Sequence, residues 1–291
     1  MPQFQTGAAN VDLFNNAQHA TALPNSPSPF RKAFKSHMLV SNAQPPELFG
    51  LTIDSVTLVR GTTTVFDALA LKLTESRIGL IGDNGAGKSS LFRLICGLDQ
   101  PQSGSVIFAG MDRQGAKPNR AGWVGMMFQN PDDQIIFPTV EEELALSLSP
   151  SGISRSNAVI QARGLLIERG LGHWSPRAIS SLSHGQRQHV CWLALLIASP
   201  RLLLLDEPFA SLDLPGQALL RQDMAHARQQ IIVSSHVLGP LRDFGRVIWL
   251  DKGQVRADGP GAQVCAAYEA DVTARLLAQR LSIDGTPFSA V

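Results

Sequence analysis

At 291 residues and 44% hydrophobic content, the chain is long enough for one large α/β domain with a substantial core. A formal net charge of +1 gives no global basic field, which argues against nucleic acid as a partner, and no apolar run approaches the roughly 20 residues that span a bilayer. Cys96, Cys191 and Cys265 have no metal-ligand spacing, and their odd count without a secretory signal argues against a disulfide framework; they read as small buried hydrophobes in a reducing cytoplasm.

Residues 1–46 are rich in Ala, Asn, Gln, Ser and Pro, and Pro27, Pro29, Pro45 and Pro46 break any long element. This composition predicts a disordered extension with scattered basic residues and no signal-peptide core. Met38 stands shortly before the domain and is a candidate alternative start, which mass spectrometry of the natural N-terminus would test. Strands are expected near Leu51–Val59 and Thr64–Leu73, and the apolar run Arg77 to Ile81 reads as a buried strand.

That strand leads into Gly82, Asp83, Asn84, Gly85, Ala86, Gly87, Lys88, Ser89 and Ser90, and then into a helical pattern to Ile95. Strand, glycine loop and helix are the setting in which main-chain N–H groups gather around a phosphate at the positive end of a helix. Lys88 is placed to reach the β- and γ-phosphates, and the Ser89 hydroxyl to ligate magnesium.

Pro101 to Gly104 turn the chain back into a strand from Ser105 to Phe108, and Met126 to Gln129 close a further apolar stretch. From about Asn130 to Ser181 the pattern is helical, with an amphipathic run at Val159–Gly170. Thr139 with Glu142 reads as a helix capping box, and Glu141 and Glu143 add favourable charge at that terminus. Ser183 and Gly185 open a helix through Gln186 to Leu196, a second anion site at a helix N-terminus.

Arg201 to Leu205 shows no polar alternation, so it should be a strand covered on both faces of a parallel sheet. Asp206 and Glu207 lie at its carboxyl end, where open α/β sheets bind ligands; Asp206 would hold magnesium and Glu207 would polarise a water as general base. Ile231 to Val233 form another strand ending near His236. Arg246–Leu250 and Gly253–Arg256 read as a hairpin, and Ala262–Leu281 as a helix.

The order of Gly82–Ser89, Gln129, Leu182–Gln186, Asp206 with Glu207, Ser211–Asp213 and His236 resembles the nucleotide-binding subunits of ATP-binding-cassette (ABC) transporters, over about residues 48–260. The resemblance implies a P-loop NTPase fold with a RecA-like core, a mixed sheet, an antiparallel β subdomain and an inserted α-helical signature subdomain. The expected boundaries are 47–260 for the ATPase domain, about 130–181 for the helical subdomain with the signature helix reaching 199, and 261–291 for a helical tail. It also implies ATP and Mg2+ as ligands, and a head-to-tail homodimer or heterodimer with ATP between the glycine loop of one subunit and Leu182–Gln186 of the other.

In those roles Ser183, Gly185 and Gln186 would cap the γ-phosphate from across the dimer. His236 would contact that phosphate, Gln129 would sense magnesium and the attacking water, and Asp213 would bridge to the facing loop. Two positions depart from the family pattern. His184 stands where glycine is usual, and its ring lies near the facing ATP or points outward. Arg60 stands where an aromatic ring meets adenine, and its guanidinium plane can stack on a base.

The segment Phe128 to Leu144 is similar to the ATPases of energy-coupling-factor importers, and Arg77–Gly82, His184 and Arg60 together to a biotin-importer ATPase. The branch implies a transmembrane coupling subunit and a substrate-binding membrane subunit as partners, at the cytoplasmic face of the membrane. Asn130–Gln134 would lie beside the groove that receives a coupling helix. A cobalt or nickel importer ATPase of the same branch stays open, as does a soluble ABC ATPase acting on ribosomes or DNA.

Overall fold

The structure, a computed structural model, describes residues 50–109 and 122–284. The expected extension at 1–46 and the Met38 start lie outside the described residues.

Strands β1 (Leu51–Arg60) and β2 (Thr63–Leu73) form a hairpin, and β4 (Ser103–Phe108) pairs on the far side of β1. Leu51 sits opposite Leu73 on one neighbour and Phe108 on the other, so the buried residues share one face. This is the expected antiparallel β subdomain.

The larger sheet contains β3 (Arg77–Ile81), β5 (Val124–Met127), β6 (Leu202–Asp206), β7 (Gln230–Ser234), β8 (Arg246–Asp251) and β9 (Gln254–Gly259). Their order is β5-β6-β7-β3-β8-β9; β9 alone runs antiparallel, which makes the sheet mixed. Leu202 and Leu204 enter a core shared with the small sheet and helix α1 (Lys88–Cys96), whereas Leu203 and Leu205 enter a second core under the helices. Both faces of β6 are therefore covered, which is why its sequence lacks alternation. Full burial of each leucine contributes about 1.5–3 kcal/mol.

The helical insertion contains α2 (Val140–Leu146), α3 (Arg155–Glu168) and α4 (His184–Ala198), joined by short 3-10 turns. The helical run begins at Val140 rather than near Asn130: residues 130–139 hold one turn at Pro131–Asp133 and then loop. Ala158, Ala162, Leu165 and Leu166 give α3 a single buried face.

The capping box expected at Thr139 is not formed. Thr139 is the N-cap, but its hydroxyl donates to the Glu142 carboxylate at 2.7 Å, and Arg155 draws on the other oxygen of Glu142. Glu142 is thereby spent on side chains rather than on the N-cap N–H. Glu141 pairs with Arg163 and accepts from the Ser175 hydroxyl. Glu143 turns inward and accepts the N–H groups of Ile136 (2.9 Å) and Phe137 (2.8 Å).

After α5 (Leu214–His226), β7 and the β8–β9 hairpin, helix α6 (Gly261–Asp284) closes the described chain. Val264 and Cys265 bury its first turns, and Tyr268 meets Trp249 edge to face at 5.2 Å. Among the described residues no helix is long and apolar enough to cross a membrane.

Candidate functional site

The carboxyl ends of β3, β5, β6 and β7 lie side by side, so residues from four distant stretches of sequence emerge along one rim. The glycine loop joins β3 to α1 on this rim. Gly82 has φ +142°, and a Cβ there would lie 2.1 Å from the Leu250 carbonyl oxygen. Only glycine fits that approach. Gly85 and Gly87 also have positive φ, and Phe66 of β2 packs directly beneath Gly87. The turn of the β8–β9 hairpin supports the loop from behind, where the Gly253 N–H donates to the Ala86 carbonyl at 3.0 Å.

Lys88 is buried, and its ammonium folds back onto the loop, donating to the carbonyls of Gly82 (2.7 Å) and Asp83 (3.1 Å). Burial lowers its pKa, an effect that the nearby carboxylates of Glu207, Asp206 and Asp83 oppose. His236 Nε2 lies 3.3 Å from that ammonium. The Ser89 hydroxyl donates to Asp206 Oδ2 at 3.0 Å, which brings two oxygen donors from opposite sides of the site together.

Glu207 is buried and has φ +50°, a left-handed conformation that costs a non-glycine residue energy. The turn is fixed by its own N–H, which donates to the Ser234 carbonyl at 2.8 Å and extends the β6–β7 pairing. Its Oε2 accepts the His236 main-chain N–H at 2.9 Å, while its buried Oε1 accepts no hydrogen bond and stands 3.4 Å from His236 Nε2. The His236 ring thus sits between an ammonium and a carboxylate. With Nε2 bare it accepts from Lys88; with Nε2 protonated it donates to Glu207.

Gln129 is exposed two residues beyond the end of β5, the strand that pairs with the one carrying Asp206. Asp213 is exposed, and its carboxylate caps α5 by accepting the Gly216 N–H at 2.9 Å. The Arg60 guanidinium is paired with Asp99, which Arg93 also holds.

A true capping box forms at the signature. The Ser183 hydroxyl accepts the Gln186 N–H at 3.3 Å, and the Gln186 side-chain oxygen accepts the Ser183 N–H at 3.0 Å. His184 occupies the first turn with a buried Nδ1 that has no hydrogen-bond partner. Gln188 donates to the Pro208 carbonyl at 2.6 Å, tying this helix to the segment just after Glu207. No hydrogen bond or ion pair joins Leu182–Gln186 to the glycine loop among the described residues. The structure therefore gathers Lys88, Ser89, Asp206, Glu207 and His236 into one centre and leaves the signature outside it.

Three contacts are not evident from the motifs. Asp83 of the glycine loop is held by Tyr268 and Arg275 of α6; Glu143 braces residues 136–137; Gln188 reaches Pro208. The one local signal is an acidic residue in a phosphate loop, which calls for a counter-charge.

The site's chemistry fits a magnesium nucleotide. The glycine loop runs into the start of α1 with Lys88 folded onto it, Ser89 and Asp206 supply a hard-oxygen pair, and Glu207 presents an unpaired buried oxygen. Comparison with known proteins agrees. The ABC transporter family pattern matches residues 67–210. The chain is 43% identical over 224 residues to the biotin transport ATP-binding protein BioM of Rhodobacter capsulatus, covering 77% of this chain and 96% of that protein. A putative ABC transporter ATP-binding protein of Bartonella henselae is 36% identical over 208 residues, covering 72% of this chain and 92% of that protein. Among solved structures, cbiO1 from Clostridium perfringens, described as part of the ABC transporter complex cbiONQ, superposes with a TM-score of 0.65 at 23% identity, covering 79% of this chain and 96% of that one.

Proposed function

We propose, from the premise that this chain belongs to the ABC transporter family of ATP-binding proteins, that it is the ATP-hydrolysing subunit of an energy-coupling-factor importer and that the imported solute is biotin. The observation that carries the ATPase reading is the clustering of Lys88, Ser89, Asp206, Glu207 and His236 around one glycine loop. The biotin reading is supported by the 43% identity to a biotin transport ATP-binding protein over nearly that protein's whole length.

In this reading the glycine loop's N–H groups bind the β-phosphate, and Lys88 exchanges its carbonyl partners for phosphate oxygens. Ser89 and Asp206 would hold Mg2+, with Gln129 just beyond the end of the adjacent strand; the ion would neutralise charge on the triphosphate. Glu207 takes the proton of the attacking water on Oε1 while the His236 N–H keeps the carboxylate fixed through Oε2. His236 positions the γ-phosphate by its ring. Little covalent chemistry is asked of the protein, so its contribution is positioning and charge stabilisation.

Ser183, Gly185 and Gln186, capped at the start of α4 but remote from their own loop's contacts, would meet the triphosphate of a second ATPase subunit. Asp213 would approach the facing loop. Closure of such a dimer would move a transmembrane coupling subunit seated beside residues 128–143, and a substrate-binding membrane subunit would complete the importer at the cytoplasmic face of the membrane.

Purification of tagged protein from detergent-solubilised membranes, followed by reconstitution and uptake assays, tests this. A transmembrane partner with ATP-dependent biotin accumulation is the expected result. Accumulation of cobalt or nickel instead would reassign the solute, and recovery of ribosomal or DNA-repair proteins without a membrane subunit would overturn the transport role.

A further inference from the structure

Asp83 is the second residue of the glycine loop, so its carboxylate stands beside N–H groups that collect phosphate. A negative charge at that place opposes a triphosphate. The structure draws this carboxylate onto α6: Oδ1 accepts the Tyr268 hydroxyl at 2.7 Å, and Oδ2 accepts Arg275 Nη1 at 2.6 Å.

Both partners have further contacts that hold them in place. Arg275 Nε is held by Asp271 Oδ2 at 2.8 Å, and Asp271 is held in turn by Arg256 of β9. The Arg256 guanidinium covers the Trp249 ring at 4.3 Å, and Trp249 meets the Tyr268 ring edge to face. Val264 and Cys265 anchor the same helix in the core. Bonding to Arg275 and Tyr268 holds the Asp83 carboxyl below its ordinary range, while burial and then Asp83 push the Tyr268 hydroxyl up to about 12.

The carboxylate is linked to the nucleotide site through its own main chain. The Asp83 carbonyl accepts Lys88 Nζ at 3.1 Å and the Ala86 N–H at 3.1 Å. One residue therefore joins α6 on its side chain to the phosphate-binding lysine on its backbone.

We propose that α6 is a brace that sets nucleotide affinity: Tyr268 and Arg275 neutralise and immobilise Asp83, and thereby let the glycine loop hold a triphosphate. Both are positioning residues, and the inference rests on the nucleotide site proposed above. By linkage, ATP must tighten the docking of α6 by the same factor that α6 tightens ATP. The Asp83 and Arg275 side chains are about half exposed, so the effect should be about five-fold, near the upper end for a screened ion pair, and should shrink at high salt.

The test is titration of the full chain with a fluorescent ATP analogue at low and high salt, in wild type, R275Q, Y268F, D83N and D83N/R275Q. R275Q should bind about five-fold more weakly, R275K should recover part of the loss, and D83N/R275Q should bind as D83N does. Amide exchange over residues 261–279 should slow with ATP in wild type and not in R275Q. Wild-type affinity in R275Q, or an equal loss from R275Q in the D83N background, would overturn the brace. A K88A variant that binds nucleotide as tightly as wild type would instead overturn the nucleotide-site reading.

Discussion

The main-chain N–H of His236 donates to Glu207 Oε2 at 2.9 Å, so the carboxylate at the end of β6 is aimed by the residue beyond the end of β7. Glu207→Gln keeps an oxygen for this bond but cannot take a proton. Turnover should fall about 100- to 1000-fold, the usual cost of losing one preorganised group, while ATP binding persists. Near wild-type turnover, measured by phosphate release, would refute the base assignment.

His236→Ala removes the ring that stands between Lys88 and Glu207 and keeps the main-chain bond. We expect kcat to drop at least about 100-fold with the ATP dissociation constant changed only a few-fold. Paired single-turnover and binding measurements separate the two, and a loss confined to binding would contradict this role.

Gly82→Ala puts a methyl group 2.1 Å from the Leu250 carbonyl oxygen at φ +142°. The fold must shift the β8 end or the loop, at a cost of roughly 2–4 kcal/mol. Urea unfolding monitored by circular dichroism reports it, and a midpoint equal to wild type would mean that the close approach relaxes freely.

Glu143→Ala would take the carboxylate from the N–H groups of Ile136 and Phe137; Ile136 is exposed, so water can replace it and the cost should be about 0.5–1.5 kcal/mol. Glu143→Gln retains an acceptor and should cost less. Amide exchange of residues 134–138 should accelerate in the alanine variant; unchanged exchange there would show that the loop holds itself.

Acid should release α6 before it unfolds the core. Because the folded Asp83 carboxyl titrates below its unfolded value of about 3.9, its contribution is complete above that value and is lost as pH falls through the lower folded one. Trp249 fluorescence should report the loss of Tyr268 packing below about pH 4. A D83N chain should lack that step, and an identical step in D83N would assign it elsewhere.

The parts of the site legible in the sequence were those written locally. Gly82 to Ser90 declare a phosphate loop because its conformation depends on neighbours in the chain, and Leu202 to Leu205 declare a doubly covered strand because both faces are apolar. Glu143 stands in the first turn as read, but its hold on residues 136–137 was not legible, because a carboxylate near a helix N-terminus looks the same whether it faces solvent or braces a loop. Thr139 failed as half of a capping box because Arg155, remote in the spacing rule, competes for Glu142. The Asp83–Arg275 pair spans 192 residues and leaves no spacing signature.

The parallel pairing of β3 with β7 has a consequence for synthesis. The phosphate loop emerges about 150 residues before His236, an interval of roughly 8–30 s at ordinary elongation rates of about 5–20 residues per second. During it, β3 has neither of its sheet neighbours, since β7 and β8 are not yet made. A nascent chain can carry a complete Lys88 loop yet lack Asp206, Glu207 and His236, so on the proposed site premature termination would yield fragments that cannot complete the centre. With those roles, hydrolysis would be withheld until nearly the whole domain has been translated.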